Sequence, residues 1–438
     1  MKSHFSLFTL TFFSLILSGN LAAQSYIGST VGNYGGIQSV LINPANAADS
    51  RMRLEINLIS TSAFVGNDFI SIDVSDIGGF SDGFDFDSDT DTNPLDNNNF
   101  FGNIDILGPS ALFNINSKNS LALTTRVRGF FNIHNLGGDL YQVANGSQGV
   151  DNFNISMENT SGVVHAWAEV GLTYGRVVLE NKDHFLKAGA TLKYLGGAGG
   201  VFGFSPQLGA NFNSSSNTLN TSGNLNYGYT SEFDSENISF SDITSSFGAD
   251  LGVVYELRGD REYYQVPYKL RVGISVTDIG AINYSGASNF RYDMNATIDA
   301  SEFENKDLDE VLDENYSSTE TIEKTKMGLP TAIQVFADYP ITNKFFVSAQ
   351  GAISVKKLDQ VPVSNIINSF TLTPRFEMRW ISVYSPVSFR KYDSSIAWGF
   401  GLRAGPLMVG SGSIFTNLIS KTSRSADVYV GFKIPLYK

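Results

Sequence analysis

The sequence predicts an all-β fold: a transmembrane antiparallel β-barrel of about 14 strands (12–16) with an N-terminal plug-like segment. Three observations predict it. Long stretches alternate apolar and polar residues at period two. The composition pairs 42% hydrophobic residues with only 17% charged ones, against about 25% in ordinary soluble domains. Residues 1–23 read as a secretory signal.

The leader comes first. Lys2 and His4 precede an uncharged core, Phe5 to Leu17, and small residues then lead to a cut between Ala23 and Gln24. Its apolar core is too short to span a bilayer as a helix. Residues 24–50 are Gly- and Asn-rich, too irregular for a strand, and are expected to tuck into the lumen as a plug. The barrel is expected over 51–438.

The strands follow from parity. In Ser369–Ile381 one face reads Phe370, Leu372, Pro374, Phe376, Met378, Trp380 and the other Thr371, Thr373, Arg375, Glu377, Arg379. Asn289–Ala300 and Phe247–Arg258 alternate likewise, with Val254 the exception. So do Val428–Leu436 and the opening strand, where Met52, Leu54, Ile56 and Leu58 are expected outward. Soluble strands average about 5–6 residues, and a lipid-spanning strand needs roughly 9–11. These runs meet the second figure. In lipid every backbone group must pair, so such a sheet has to close, with apolar side chains outward and polar ones facing a lumen.

Short polar breaks at Ser117–Ser120, Asn181–His184, Gly259–Gln265 and Thr342–Asn343 suit periplasmic turns. Longer ones at Gly66–Leu107, His134–Ser161, Gly280–Met327 and Lys357–Val363 suit the extracellular side. Ser301–Tyr316 places Leu308, Val311 and Leu312 at helical spacing among acidic residues, a short amphipathic helix over the barrel mouth. Ser81–Asn99 reads as an acidic, Asn-rich mobile loop. Within it Asp85, Asp87, Asp89 and Asp91 have EF-hand-like spacing, a weak calcium candidate. The sixth and twelfth positions hold Thr90 and Asp96 where calcium loops need Gly and Glu.

Candidate functional residues are charges expected on inward faces: Arg126, Arg128, His165, Glu169, Lys187, Lys193, Lys269, Arg271, Arg375, Glu377 and Arg379. They either pair into a network that rigidifies a narrow barrel or line a selective path. Plug candidates are Asn43, Pro44 and Asn46. A balance of 30 basic against 43 acidic residues, net −13, excludes a nucleic-acid binder, and zero cysteine excludes disulfides and thiolate chemistry. No G-x-S-x-G, H-E-x-x-H or Walker A pattern occurs, so neither an enzyme nor a cofactor is expected.

Three stretches carry a family resemblance. Gly35-Gly-Ile-Gln-Ser-Val-Leu-Ile-Asn-Pro-Ala-Asn46 resembles the Asn-Pro-Ala segment at the start of FadL-like and PorV-like outer-membrane barrels. Phe185-Leu-Lys-Ala-Gly-Ala-Thr-Leu-Lys-Tyr-Leu-Gly196 resembles their early glycine-and-lysine strand. Leu270-Arg-Val-Gly-Ile-Ser-Val-Thr-Asp-Ile-Gly280 is similar to a strand of uncharacterised barrels from Bacteroidota, a domain of unknown function. The resemblance implies a 14-stranded barrel in the outer membrane and two open functions. One is FadL-like passive transport of small hydrophobic solutes, gated by residues 24–47. The other is a non-transporting surface or scaffold barrel, such as a PorV-like component of type IX secretion. Outer-membrane lipid, a hydrophobic small molecule or a secretion-system protein are the implied partners.

Overall fold

The computed structural model describes residues 25–437 except 74–89, 148, 232–242, 260–265, 357–361 and 391–392. The expected leader (1–23) and the candidate ligands Asp85, Asp87 and Asp89 lie outside the described residues.

Fourteen antiparallel strands form one closed sheet. They are β1 (Met52–Asn67), β2 (Asn98–Leu107 with Ser110–Asn114), β3 (Asn119–Leu136), β4 (Phe153–Glu180) and β5 (His184–Asn213). Next come β6 (Thr218–Thr230 with Thr244–Leu257), β7 (Leu270–Asp293 with Ala296–Asp299) and β8 (Ser317–Gly328 with Ala332–Pro340). The last six are β9 (Phe345–Ser354), β10 (Ser369–Glu377), β11 (Ile381–Tyr384 with Val387–Arg390), β12 (Asp393–Trp398 with Phe400–Ala404), β13 (Leu407–Ser411) and β14 (Ser425–Tyr437). Closure comes from β1 against β14, from Met52↔Tyr437 to Gly66↔Ser425.

Parity sorts the two faces. Leu123, Leu172, Leu192, Leu251, Leu372 and Phe432 are exposed on the outer wall, where the solvent is lipid. Thr124, Thr173, Thr191, Asp250, Thr373 and Lys433 on the same strands are buried inside. Two expectations about the outer face need correction. Met52 is buried, because register shifts between Met52 and Leu54 and between Asn57 and Ile59 reset the parity of β1. In Asn289–Ala300 the apolar set does not meet lipid. Tyr292, Met294 and Ile298 join Met157, Leu208, Phe212 and Leu219 in a cluster that includes Val311 and Leu312.

That cluster explains why the long polar stretches were misread as loops. β4 through β8 continue well past the lipid-facing belt, so Gly280–Met327 is largely strand. Their apolar tips pack under helices Gly138–Ala144 and Leu308–Asn315, forming a second small core at the loop end of the barrel. Asn98 and Asn99 are likewise not part of a polar loop. They are buried at the start of β2, and both donate amide hydrogens to the Asp68 carboxylate (2.9 and 3.0 Å).

Candidate functional site

The inward residues of β2 to β7 build a charge network across the lumen. Arg126 donates to Asp105 (3.1 and 2.5 Å) and to Glu169 (2.9 Å). Arg128 reaches Asp278 at 2.7 Å and lies over the Phe130 and Trp167 rings. Lys193 sits between Asp278 (2.6 Å) and Asp250 (2.9 Å). Buried charges persist only when paired and hydrogen-bonded, and every member here has a partner. Asp278 is the hub. It has φ 56° at an irregularity of β7, and its own N–H donates to Asp250 (2.7 Å). A second network, toward the turn end, centres on Asp338: it accepts from Arg375 (2.7 Å), Arg271 (3.0 Å) and Tyr268 (2.7 Å). Glu377 pairs with Arg375 (3.2 Å).

Residues 25–50 occupy the lumen below the first network. A short helix, Ile37–Ile42, runs into a 3-10 turn, Pro44–Ala47. Proline starts that turn because its missing N–H costs nothing there. Asn43 caps it, accepting from Ala45 N–H (3.0 Å) while its amide donates to Val253 and Ile274 carbonyls (3.1 Å each) on two wall strands. Asn46 donates to Ser39 (3.0 Å). The wall makes room with three glycines aligned across β4, β5 and β6. Gly175 pairs with Gly189, and Gly189 with Gly252. A Cβ on these would strike Ala48, Pro44 and Asn43 respectively. Val254, the parity exception, faces Val31 and Ala45 of the plug.

Charges also fasten the plug. Glu55 accepts the N–H of Ile37 (2.7 Å), stabilised by the helix N-terminus. Lys433 donates to Gly35 carbonyl (2.8 Å) and Gln38 (2.9 Å), Lys187 to Ala48 carbonyl (3.0 Å), and Arg271 to Val31 carbonyl. Glu377 holds Asn33 (2.8 Å).

A second obstruction enters from the other end. Between β9 and β10, residues 362–368 turn into the barrel as a strap. Gly328 and Val363 form a parallel bridge, and Asn365 and Asn132 bond reciprocally. His165 meets Ser364 (3.3 Å) and Tyr284 (3.1 Å). Of the stretch Lys357–Val363, expected on the extracellular side, 357–361 lie outside the described residues, and Val363 is buried inside the barrel.

Three cavities stand out among the described residues. The upper one, about 860 Å³, is lined by His134, Val163, Phe202, Phe204, Tyr227 and Phe290 among others. The central one, about 100 Å³, has Leu41, Ile42, Phe64, Phe101, Phe130 and Ile366 in its wall. The lower one, about 420 Å³, lies between the plug and the turn end. Asn132 borders both upper and central cavities, and Thr30 both central and lower.

Among the residues expected at the site, Arg126, Arg128, Glu169 and Lys193 share one network and Arg271, Arg375 and Glu377 the other. His165 contacts the strap and Lys187 the plug. Lys269 and Arg379 are corrections, since both are exposed at the turn end. β7 begins only at Leu270, and in the irregular approach Tyr268 turns inward in place of Lys269. Arg379 lies past the end of β10, stacked on Tyr437 at 4.7 Å. Asp91 is exposed in a two-residue ribbon against Ile70–Ser71. Sequence reading missed Asp105, Asp250, Asp278 and Asp338. Asp250 shares the parity of Gly252 and Glu256, whereas Asp278 is out of step with Arg271, Ser275 and Thr277 and turns inward only at the irregularity of β7; the closed barrel alone gives each of the four a cation.

The profile of a family of unknown function (DUF5723) matches residues 44–412. No curated protein matches. Among solved structures, the chain is similar to the TodX monoaromatic hydrocarbon channel deltaS2 mutant: 10% identity, 91% of this chain and 93% of that one, TM-score 0.44. It is also similar to the Ralstonia pickettii toluene transporter TbuX (10%, 92% and 95%, 0.43) and to a Pseudomonas aeruginosa FadL homologue (9%, 90% and 93%, 0.40).

Proposed function

This chain belongs to a family of unknown function (DUF5723), so its activity is read from its own geometry, and we propose that it passes small, largely apolar solutes across the outer membrane. The observation that carries the reading is the division of the lumen into three cavities with shared walls at Asn132 and Thr30. A barrel kept only for rigidity gains nothing from such space, since every unfilled volume forfeits packing. Solute enters the upper cavity beside Phe202, Phe204, Tyr227 and Phe290, passes the strap and the central cavity, where Phe64, Phe101 and Phe130 stand beside Arg126, Arg128 and Asp278, and leaves once the plug shifts. This is passive gating by two internal elements.

The test uses intact cells with a lipopolysaccharide outer leaflet, which resists apolar solutes. Labelled toluene should enter faster when the barrel is expressed, and faster again when the plug is loosened. Uptake equal to that of barrel-free cells in both cases would sink the reading.

A second reading draws on the loop-end core under Gly138–Ala144 and Leu308–Asn315. It makes the chain a surface scaffold whose acidic cap receives a protein partner, for instance a secretion component. Retention of a cross-linked partner that disappears on deleting 302–315 would favour it.

A further inference from the structure

The plug is fastened by buried cations that donate to its main-chain carbonyls: Lys187 to Ala48, Arg271 to Val31 and Lys433 to Gly35; Arg271 also pairs with Asp338 (3.0 Å) and Lys433 with Glu55 (3.4 Å). Lys187 and Arg271 also line the lower cavity of about 420 Å³. They are 4% and 8% exposed. An ammonium has three donors, and the only hydrogen bond of Lys187 among the described residues is the one to Ala48 at 3.0 Å. The buried Nε of Arg271 has no acceptor among the described residues. Arg51 and Arg379 add positive charge to the lining. Both of its carboxylates, Asp49 and Glu256, are engaged by Arg258, at 3.4 and 2.7 Å. A chain of net charge −13 therefore keeps a polar, cation-rich chamber beneath its plug.

We propose that this chamber binds a small soluble oxyanion, a carboxylate or phosphate, and that binding releases the plug. Charge-assisted hydrogen bonds are roughly twice as strong as those to neutral acceptors. An oxyanion in the chamber takes donors from Lys187 and Arg271 that otherwise hold the Ala48 and Val31 carbonyls. Because it binds the loosened plug better than the fastened one, it shifts the population toward release. The release step rests on the gating reading above; the binding step does not.

Calorimetry on the detergent-solubilised barrel tests binding, with succinate and with inorganic phosphate against chloride at matched ionic strength. Saturable binding of either anion is expected, weakened about tenfold or more in Lys187→Met and less in Arg379→Gln at the rim, as expected for loss of charge-assisted contacts. Heat-modifiable migration on a denaturing gel shows that each variant is folded. No saturable heat in the wild type, or unchanged affinity in both folded variants, overturns the proposal. Release is read separately. The chain has no cysteine, so Val40→Cys places a single thiol on the buried face of the plug. Its maleimide labelling should quicken several-fold with the bound anion and not when Lys187 is also Met. Binding without faster labelling overturns release. Faster labelling without toluene uptake counts instead against transport.

Discussion

Asn132 and Asn365 are bonded in both directions: the Asn132 amide donates to the Asn365 carbonyl (3.1 Å), and its Oδ1 accepts the Asn365 N–H (2.9 Å). They are 233 residues apart and form the clasp between the wall strand β3 and the strap. One side chain thereby satisfies both backbone groups of a buried strap residue, which would otherwise pay the full cost of desolvation.

Asn132→Ala should free the strap. The two unmet backbone groups cost about 1–3 kcal/mol each, offset where water enters from the upper cavity. Toluene uptake should rise while the barrel still migrates as a folded species. A folded variant with unchanged uptake would show that the strap does not limit passage.

Lys193→Met should be among the most damaging single changes. It leaves Asp250 and Asp278 close together without the ammonium between them. Removing one partner from a buried ion pair costs about 3–5 kcal/mol. The temperature at which the folded gel band is lost should fall, and adding Asp250→Asn should recover part of the difference. Equal unfolding temperatures for Lys193→Met and wild type would contradict the network.

Gly36→Ala should loosen the plug with every wall residue left unchanged. Gly36 has φ 58°, and an added Cβ would overlap the Glu55 carboxylate that accepts from Ile37. A non-glycine residue held in such a conformation costs about 1–3 kcal/mol, and the overlap adds to it. Val40→Cys labelling should accelerate in this background. An unchanged labelling rate would mean that other anchors, Lys433 foremost, fix the plug alone.

The loop-end cap should respond to acid. Hydrogen bonds from Lys306 and then Asn315 hold the Glu302 carboxyl below its usual range. A carboxyl with a lowered folded-state pKa contributes stability above its unfolded value and loses it as pH falls through the folded one. Protease cleavage within 302–315 should therefore be slow at neutral pH and speed up below about pH 4, near the ordinary carboxylate range. The exposed site makes the effect small, and high salt should shrink it further. A pH-independent cleavage rate would remove Glu302 from the cap's stability.

Local parity made the wall legible. Thr371, Thr373, Arg375 and Glu377 point inward because side chains alternate across a strand, and that needs no knowledge of partners. Parity failed where the backbone departs from a regular strand, at Lys269 before β7, Arg379 after β10 and Met52 beside a register shift.

The sequence by itself determined that a closed barrel forms, which faces of its regular strands meet lipid within the belt, and that an irregular segment precedes the first strand. Those follow from period-two burial and from the need to pair every backbone group in lipid. Only the tertiary structure decided what fills the lumen. Arg128 meets Asp278 across 150 residues, Asn132 meets Asn365 across 233, and Lys433 meets Gly35 across 398. The physical reason is closure. Curving fourteen strands into a ring brings inward residues of distant strands into one low-dielectric space, where each charge is stable only with its partner.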